Sequence, residues 1–189
     1  LPKSLNGAST AFDIGVGTGV LSIILAMRDV QKIVATDQDD RALQCAKENI
    51  ALLGLASQVE IMKANLFPIG KASLIVCNPP WVPARPSSTL EHAVYDPESQ
   101  MLKGFLAGLK DHLLPQGEGW LILSDLAEHL ELRSRQELLS WIEDAGLVVL
   151  DRMDTKPKHP KTFDDSDSLY FARAAEITSL WRLQIHQKY

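Results

Sequence analysis

Asp13-Ile14-Gly15-Val16-Gly17-Thr18-Gly19 is the stretch on which the fold turns. It follows a short apolar run from Ala8 to Ile14, which reads as a strand. It precedes Val20-Leu21-Ser22-Ile23-Ile24-Leu25-Ala26-Met27, which reads as a buried helix. Glycines at a strand-to-helix turn let backbone approach a ligand closely and adopt dihedrals closed to other residues. The dinucleotide fingerprint Gly-x-Gly-x-x-Gly fails in both registers, because Val20 and Ser22 stand where its last glycine belongs. No Walker lysine follows. The loop therefore suits a nucleoside ligand without phosphates, with Asp13 free to attract a cationic group.

Working outward, Ile33-Val34-Ala35-Thr36 is a second strand ending at Asp37. Asp37 is placed to accept both hydroxyls of a ribose. Asp39 is a candidate N-cap, and Leu43, Ala46, Ile50 and Leu53 recur at helical spacing until Gly54 closes the helix. Val59 to Met62 is a third strand, followed by Ala64-Asn65-Leu66-Phe67-Pro68. Leu74-Ile75-Val76-Cys77 is a fourth. Strands alternating with helices imply a parallel sheet covered on both faces. Beyond it the sequence predicts a helix within 100–114, a strand at Trp120 to Leu123, and a helix with Leu138, Ile142 and Ala145 inward. Strands at Leu147 to Leu150 and Ser168 to Ala172 follow. No crossover helix fits between these two, so they are expected to pair antiparallel at one edge. The expected domain is 1–175, with a helical tail at 176–189. The chain begins at Leu1 rather than Met, so a preceding segment is expected.

The fourth strand runs into Asn78-Pro79-Pro80-Trp81. Two prolines cannot continue a central strand, and they stiffen the turn while removing two amide donors. The carbonyl oxygens of Asn78 and Pro79 can accept both hydrogens of one planar NH2 group, with Trp81 stacked on the plane behind it. A buried asparagine here is costly without such a partner. As a bland alternative, the turn is only a rigid strand end with a core tryptophan.

Composition narrows the choices. Of 189 residues, 46% are hydrophobic and 23% charged, as in ordinary globular domains. A net charge of −5 argues against a grip on duplex nucleic acid through its phosphates. Cys45 and Cys77 read as buried free thiols of a reducing compartment, which points to the cytoplasm. No apolar run reaches membrane-spanning length. The histidines lack metal spacing, and Asp37, Asp39 and Asp40 lack the glycine and glutamate of a calcium loop. Lys156-Pro157-Lys158-His159-Pro160-Lys161 reads as a solvated basic loop, with contact to phosphates or an acidic partner as the alternative, and Glu91 and Asp96, in the long loop after Trp81, read as surface residues, with the shaping of a substrate mouth as the alternative.

With these residues in view, the chain resembles class I S-adenosylmethionine-dependent methyltransferases. The resemblance implies an α/β, Rossmann-like, seven-stranded and mostly parallel sheet whose last strand is antiparallel. It implies S-adenosyl-L-methionine as cofactor, with Gly15, Gly17 and Gly19 at its methionine part, Asp37 at the ribose, and Gln38, Asn65 and Leu66 at the adenine. Asp13 and Asn78 complete that set. The Asn78-Pro79-Pro80-Trp81 turn is similar to that of amino- and amide-N-methyltransferases. Val82-Pro83, Leu90-Glu91, Asp96-Pro97-Glu98, Gly104 and Gly108-Leu109 resemble the protein-glutamine N5-methyltransferases of translation release factors. The implied acceptor is thus a glutamine side chain of a protein. An exocyclic amine of a base in RNA or DNA is the alternative, and a non-catalytic, cofactor-binding partner subunit is a third possibility.

Overall fold

The computed structural model describes residues 9–83, 96–157 and 170–186. Strand β1 (Thr10–Ile14) leads to helix α1 (Val20–Ala26), β2 (Lys32–Asp37) and α2 (Asp40–Leu52). Then come β3 (Val59–Lys63) and β4 (Ala72–Cys77). A 3-10 turn at Pro97–Ser99 opens α3 (Gln100–His112), followed by β5 (Leu113–Ser124), α4 (Leu126–His129) and α5 (Arg135–Asp144). The described chain finishes with β6 (Leu147–Thr155), α6 (Tyr170–Ala175) and β7 (Thr178–Ile185). The strands form one sheet in the order β3-β2-β1-β4-β5-β7-β6, in which only β7 runs antiparallel to its neighbours.

Each face has its own core. Leu21 and Leu25 of α1 and Leu43, Ala46 and Ile50 of α2 pack on Ala11, Ile33, Ala35, Leu74 and Val76. On the other face Leu102, Phe105, Leu106 and Leu109 of α3, with Leu138 and Ile142 of α5, cover Phe12, Ile14, Ile75, Cys77 and Leu121. The central strands are buried on both sides, which is why they read as continuous apolar runs. Asp39 caps α2 by accepting the Arg41 N–H at 2.9 Å, as its position predicts.

Two expectations need correction. The stretch after Glu176 is not a helical tail but β7, wedged between β5 and β6, so the fold does not end at residue 175. Its side chains serve both cores, Leu180 one and Trp181 and Leu183 the other, so it lacks the alternation that marks a half-exposed strand. Tyr170 to Ala172, expected within a strand, instead open helix α6. Helix α3 lies within the expected 100–114, and Leu113 already belongs to β5, whose pairing with β4 shifts register between Ala72 and Leu74 to absorb Pro115 and the positive φ of Gln116. Cys45 and Cys77 are free thiols. Among the described residues no helix is long and apolar enough to cross a membrane, and no cluster suited to a metal ion occurs.

Candidate active site

The parallel register sets the carboxyl ends of β1 to β4 along one edge. Ile14 pairs with Thr36 on one side and Cys77 on the other. The glycine loop therefore stands between the Asp37 turn and the Asn78 turn.

The loop is held from below by backbone. The N–H groups of Gly15 and Val16 both donate to the Thr36 carbonyl, at 2.9 and 2.8 Å. Gly17 N–H donates to Asp37 Oδ2 at 3.1 Å, and Asp39 N–H to Asp37 Oδ1 at 3.0 Å. Asn49 of α2, which the sequence reading passed over, donates from Nδ2 to the Thr18 carbonyl at 2.9 Å. Gly15, Gly17 and Gly19 have φ of 75°, 53° and 86°, the left-handed region that glycine enters freely. A Cβ on Gly17 would meet nothing within 4 Å, so open space fronts the loop. A Cβ on Gly15 would strike the Met101 side chain of α3.

Asp13 differs from its sequence reading. It is only 1% exposed, and its Oδ2 accepts both the Ser22 N–H at 2.9 Å and the Ser22 hydroxyl at 2.6 Å. Its Oδ1 has no partner. Burial lifts the carboxyl to about 7, against the Ser22 bonds that pull it down, with a smaller upward push from Asp37. The signal for Ser22 was a lone hydroxyl in an otherwise apolar helix. Gln38 and Asn65 are exposed at the same edge. Leu66, half-buried at φ 70°, is pinned through its carbonyl by the Thr36 hydroxyl at 2.5 Å.

At the end of β4, Asn78 is exposed rather than buried, because Pro79 and Pro80 turn the chain off the sheet directly after Cys77. Pro79 is buried beneath it, and Pro80 and Trp81 are half-buried. The Trp81 indole N–H donates to Asn78 Oδ1 at 2.9 Å. An amide oxygen has two lone pairs, so this bond fixes the amide plane and leaves an acceptor site. Asp96 is 5% exposed, not a surface acid: its carboxylate accepts Met101 N–H at 2.9 Å and Leu102 N–H at 3.1 Å. Its own N–H donates to the Val82 carbonyl at 2.8 Å, tying α3 to the Asn78 turn. Glu91 and Leu90 lie outside the described residues, as does the basic loop apart from Lys156 and Pro157.

Residues 1–80 match the family model of ribosomal protein L11 methyltransferase. A tRNA1(Val) (adenine(37)-N6)-methyltransferase of Shewanella sp. (strain W3-18-1) is 28% identical over 152 residues, 74% of this chain and 63% of the relative. A release factor glutamine methyltransferase of Cereibacter sphaeroides is 35% identical over 114 residues, 59% of this chain and 37% of the relative. The chain is thus similar in sequence to methyltransferases of protein and of tRNA. It spans less than two thirds of the length of either relative. Among solved structures of the fold, a ribosomal protein L11 methylase from Lactobacillus delbrueckii subsp. bulgaricus superposes with a TM-score of 0.67 at 19% identity, covering 98% of this chain and 74% of that one. A geranyl diphosphate methyltransferase solved with S-adenosylmethionine gives 0.64 at 16% identity, over 93% of this chain and 77% of that one.

The edge suits that family's cofactor. The open front of Gly17 admits a ligand against bare backbone. The orphaned Asp13 Oδ1 is a buried acceptor awaiting a donor, and a cationic one would draw it into its charged form.

Proposed function

We propose that the chain methylates a planar amide nitrogen, the side chain of a glutamine in a protein substrate. The observation that carries this reading is the exposed Asn78 amide, its plane set by the Trp81 indole, one strand away from the glycine loop. On this reading Gly15, Gly17 and Gly19 offer backbone to the methionine part of S-adenosylmethionine, while Asp37 takes the ribose and Asn65 and Leu66 border the adenine. When bound, that cofactor supplies a methyl group on an electrophilic sulfonium. An amide nitrogen is a weak nucleophile because its lone pair is delocalised. The Asn78 Oδ1 and the Pro79 carbonyl each accept one of its N–H bonds, which fixes the NH2 group and presents the lone pair to the glycine loop. Alignment of this kind is worth roughly 7–11 kcal/mol at best. The Trp81 side chain borders the acceptor while holding Asn78 in register. No side-chain base is required before attack, since the proton leaves from the methylated product to solvent.

A second reading is an exocyclic amine of adenine in RNA, favoured by the extent of the match to the tRNA relative. The net charge of −5 weighs toward a protein acceptor. Incubation of the protein with methyl-labelled cofactor and cell extract, followed by protease or nuclease, separates the two. Label released by protease supports the glutamine reading. Label released by nuclease supports the adenine reading, and no label supports a cofactor-binding partner subunit.

A further inference from the structure

Thr36, one residue before Asp37, is fully buried and bonds in two directions. Its carbonyl accepts the N–H groups of Gly15 and Val16, at 2.9 and 2.8 Å. Its hydroxyl donates to the Leu66 carbonyl at 2.5 Å. One residue of β2 therefore holds both the glycine loop and the turn that follows β3. That turn begins directly beside Asp37, because the Ala64 N–H donates to the Asp37 carbonyl at 3.1 Å. Leu66 sits in it with φ of 70°. The left-handed region is costly for a residue with a branched side chain, and it persists only where the surroundings over-determine it.

Helix α3 is the second support. A Cβ on Gly104 would come within 2.5 Å of Leu66 Cδ1, and one on Gly108 would strike the Phe67 ring. Phe67 is stacked on Phe105, with ring centroids 6.0 Å apart, and on His112 at 4.4 Å. Glycine inside a helix is unfavourable relative to alanine, yet α3 carries two of them one turn apart on the side turned to this loop. Their missing side chains are the space in which Leu66 and Phe67 lie. Leu66 is thus fixed from both sides, its carbonyl by Thr36 and its side chain by Gly104.

We propose that Thr36 and Gly104 are positioning residues for the cofactor: together they seat Leu66, and Leu66 sets the wall on which the adenine rests. This rests on the placement of Leu66 at the adenine proposed above. Neither residue touches the ligand. Thr36 fixes the spacing between the loop at the methionine part and the wall at the base. Without its hydroxyl the Leu66 carbonyl loses its partner, and Leu66 relaxes out of the left-handed region. With a methyl group on Gly104, the flexible end of Leu66 is displaced from its seat on α3 while the helix stays intact.

The test separates the base from the rest of the ligand. Dissociation constants for S-adenosylhomocysteine, and for S-ribosylhomocysteine, which lacks the base, are measured by ligand-observed NMR. The proteins are wild type, Thr36→Val, Thr36→Ser, Gly104→Ala, Leu66→Ala and the Gly104→Ala/Leu66→Ala double variant, each also melted without ligand. Thr36→Val and Gly104→Ala should each weaken S-adenosylhomocysteine about tenfold with S-ribosylhomocysteine unmoved, and Thr36→Ser should stay near wild type. In the Leu66→Ala background Gly104→Ala should cost nothing further, because the side chain it displaces is gone. Gly104→Ala should melt at or above wild type, since alanine is the better helix former. Both ligands weakened alike by Thr36→Val would assign Thr36 to the glycine loop and overturn the proposal. So would unchanged affinities in Thr36→Val and Gly104→Ala, or a Gly104→Ala penalty undiminished in Leu66→Ala. If Leu66→Ala alone binds both ligands as wild type does, the placement of Leu66 at the adenine itself fails. That result is distinct from a Leu66 that matters while Thr36 and Gly104 do not.

Discussion

The two sides of the sheet are held together differently. From β3 to β4 every pairing is parallel, and the polar bonds that shape the edge span short stretches of chain: Ser22 to Asp13 across 9 residues, Gly17 to Asp37 across 20, Asn49 to Thr18 across 31. From β5 to β6 several polar ties reach further than these. The Ser124 hydroxyl donates to buried Glu176 across 52 residues at 2.6 Å, and Arg182 grips Glu118 across 64 with bonds of 2.8 and 2.7 Å. The match to the L11 methyltransferase family model stops at residue 80, where the first side ends. The first side, the cofactor side on the reading proposed above, is thus a compact local device whose sequence matches that family model. The other side is tied together by residues distant in sequence.

Perturbing each side separately breaks or sharpens that contrast. The largest effect is expected from Asn78→Ala, at the seam between them. Loss of one preorganised acceptor should lower kcat by about 10²–10³-fold, with the cofactor dissociation constant unchanged by calorimetry. Weakened cofactor binding instead would mean that the turn belongs to the cofactor side alone. Next is Glu118→Ala, which leaves the Arg182 guanidinium without its fork and the Trp120 indole N–H without its 2.8 Å acceptor. A loss of roughly 2–3 kcal/mol in denaturant unfolding is expected, with cofactor affinity retained. The smallest is Asp13→Asn. The Asp13 carboxyl is raised to about 7 from an ordinary 3.8, so the folded form holds its proton more tightly than the unfolded one. Its contribution to stability is complete below the unfolded value and is lost as pH rises through about 7. The ligand-free variant should therefore overtake wild type by a few degrees in melting temperature between mildly acidic and mildly alkaline pH, while binding cofactor less well.

The same contrast governs what could be read in the residues alone. The glycine loop, Asp37, the Asp39 cap and the proline turn are local patterns, and the structure gathers them at one edge. Strand β7 was misread because a strand covered on both faces has no period. The far half of β6 was missed because Asp151, Arg152 and Asp154 look like loop residues. Arg152 in fact bonds Asp154 at 2.7 Å and Ser179 at 3.1 Å and lies 4.8 Å from the Trp181 ring centre. Exposure of Asn78 escaped notice because it depends on the direction in which two prolines throw the chain.

The wedged position of β7 bears on biosynthesis. While the chain is emerging from a ribosome, β1 to β4 can zip together in order of appearance. Strand β6 has no such option, because its one sheet neighbour among the described residues, Thr178–Ile185, is translated after it. A nascent chain paused between the two would carry four paired strands beside an unfinished flank.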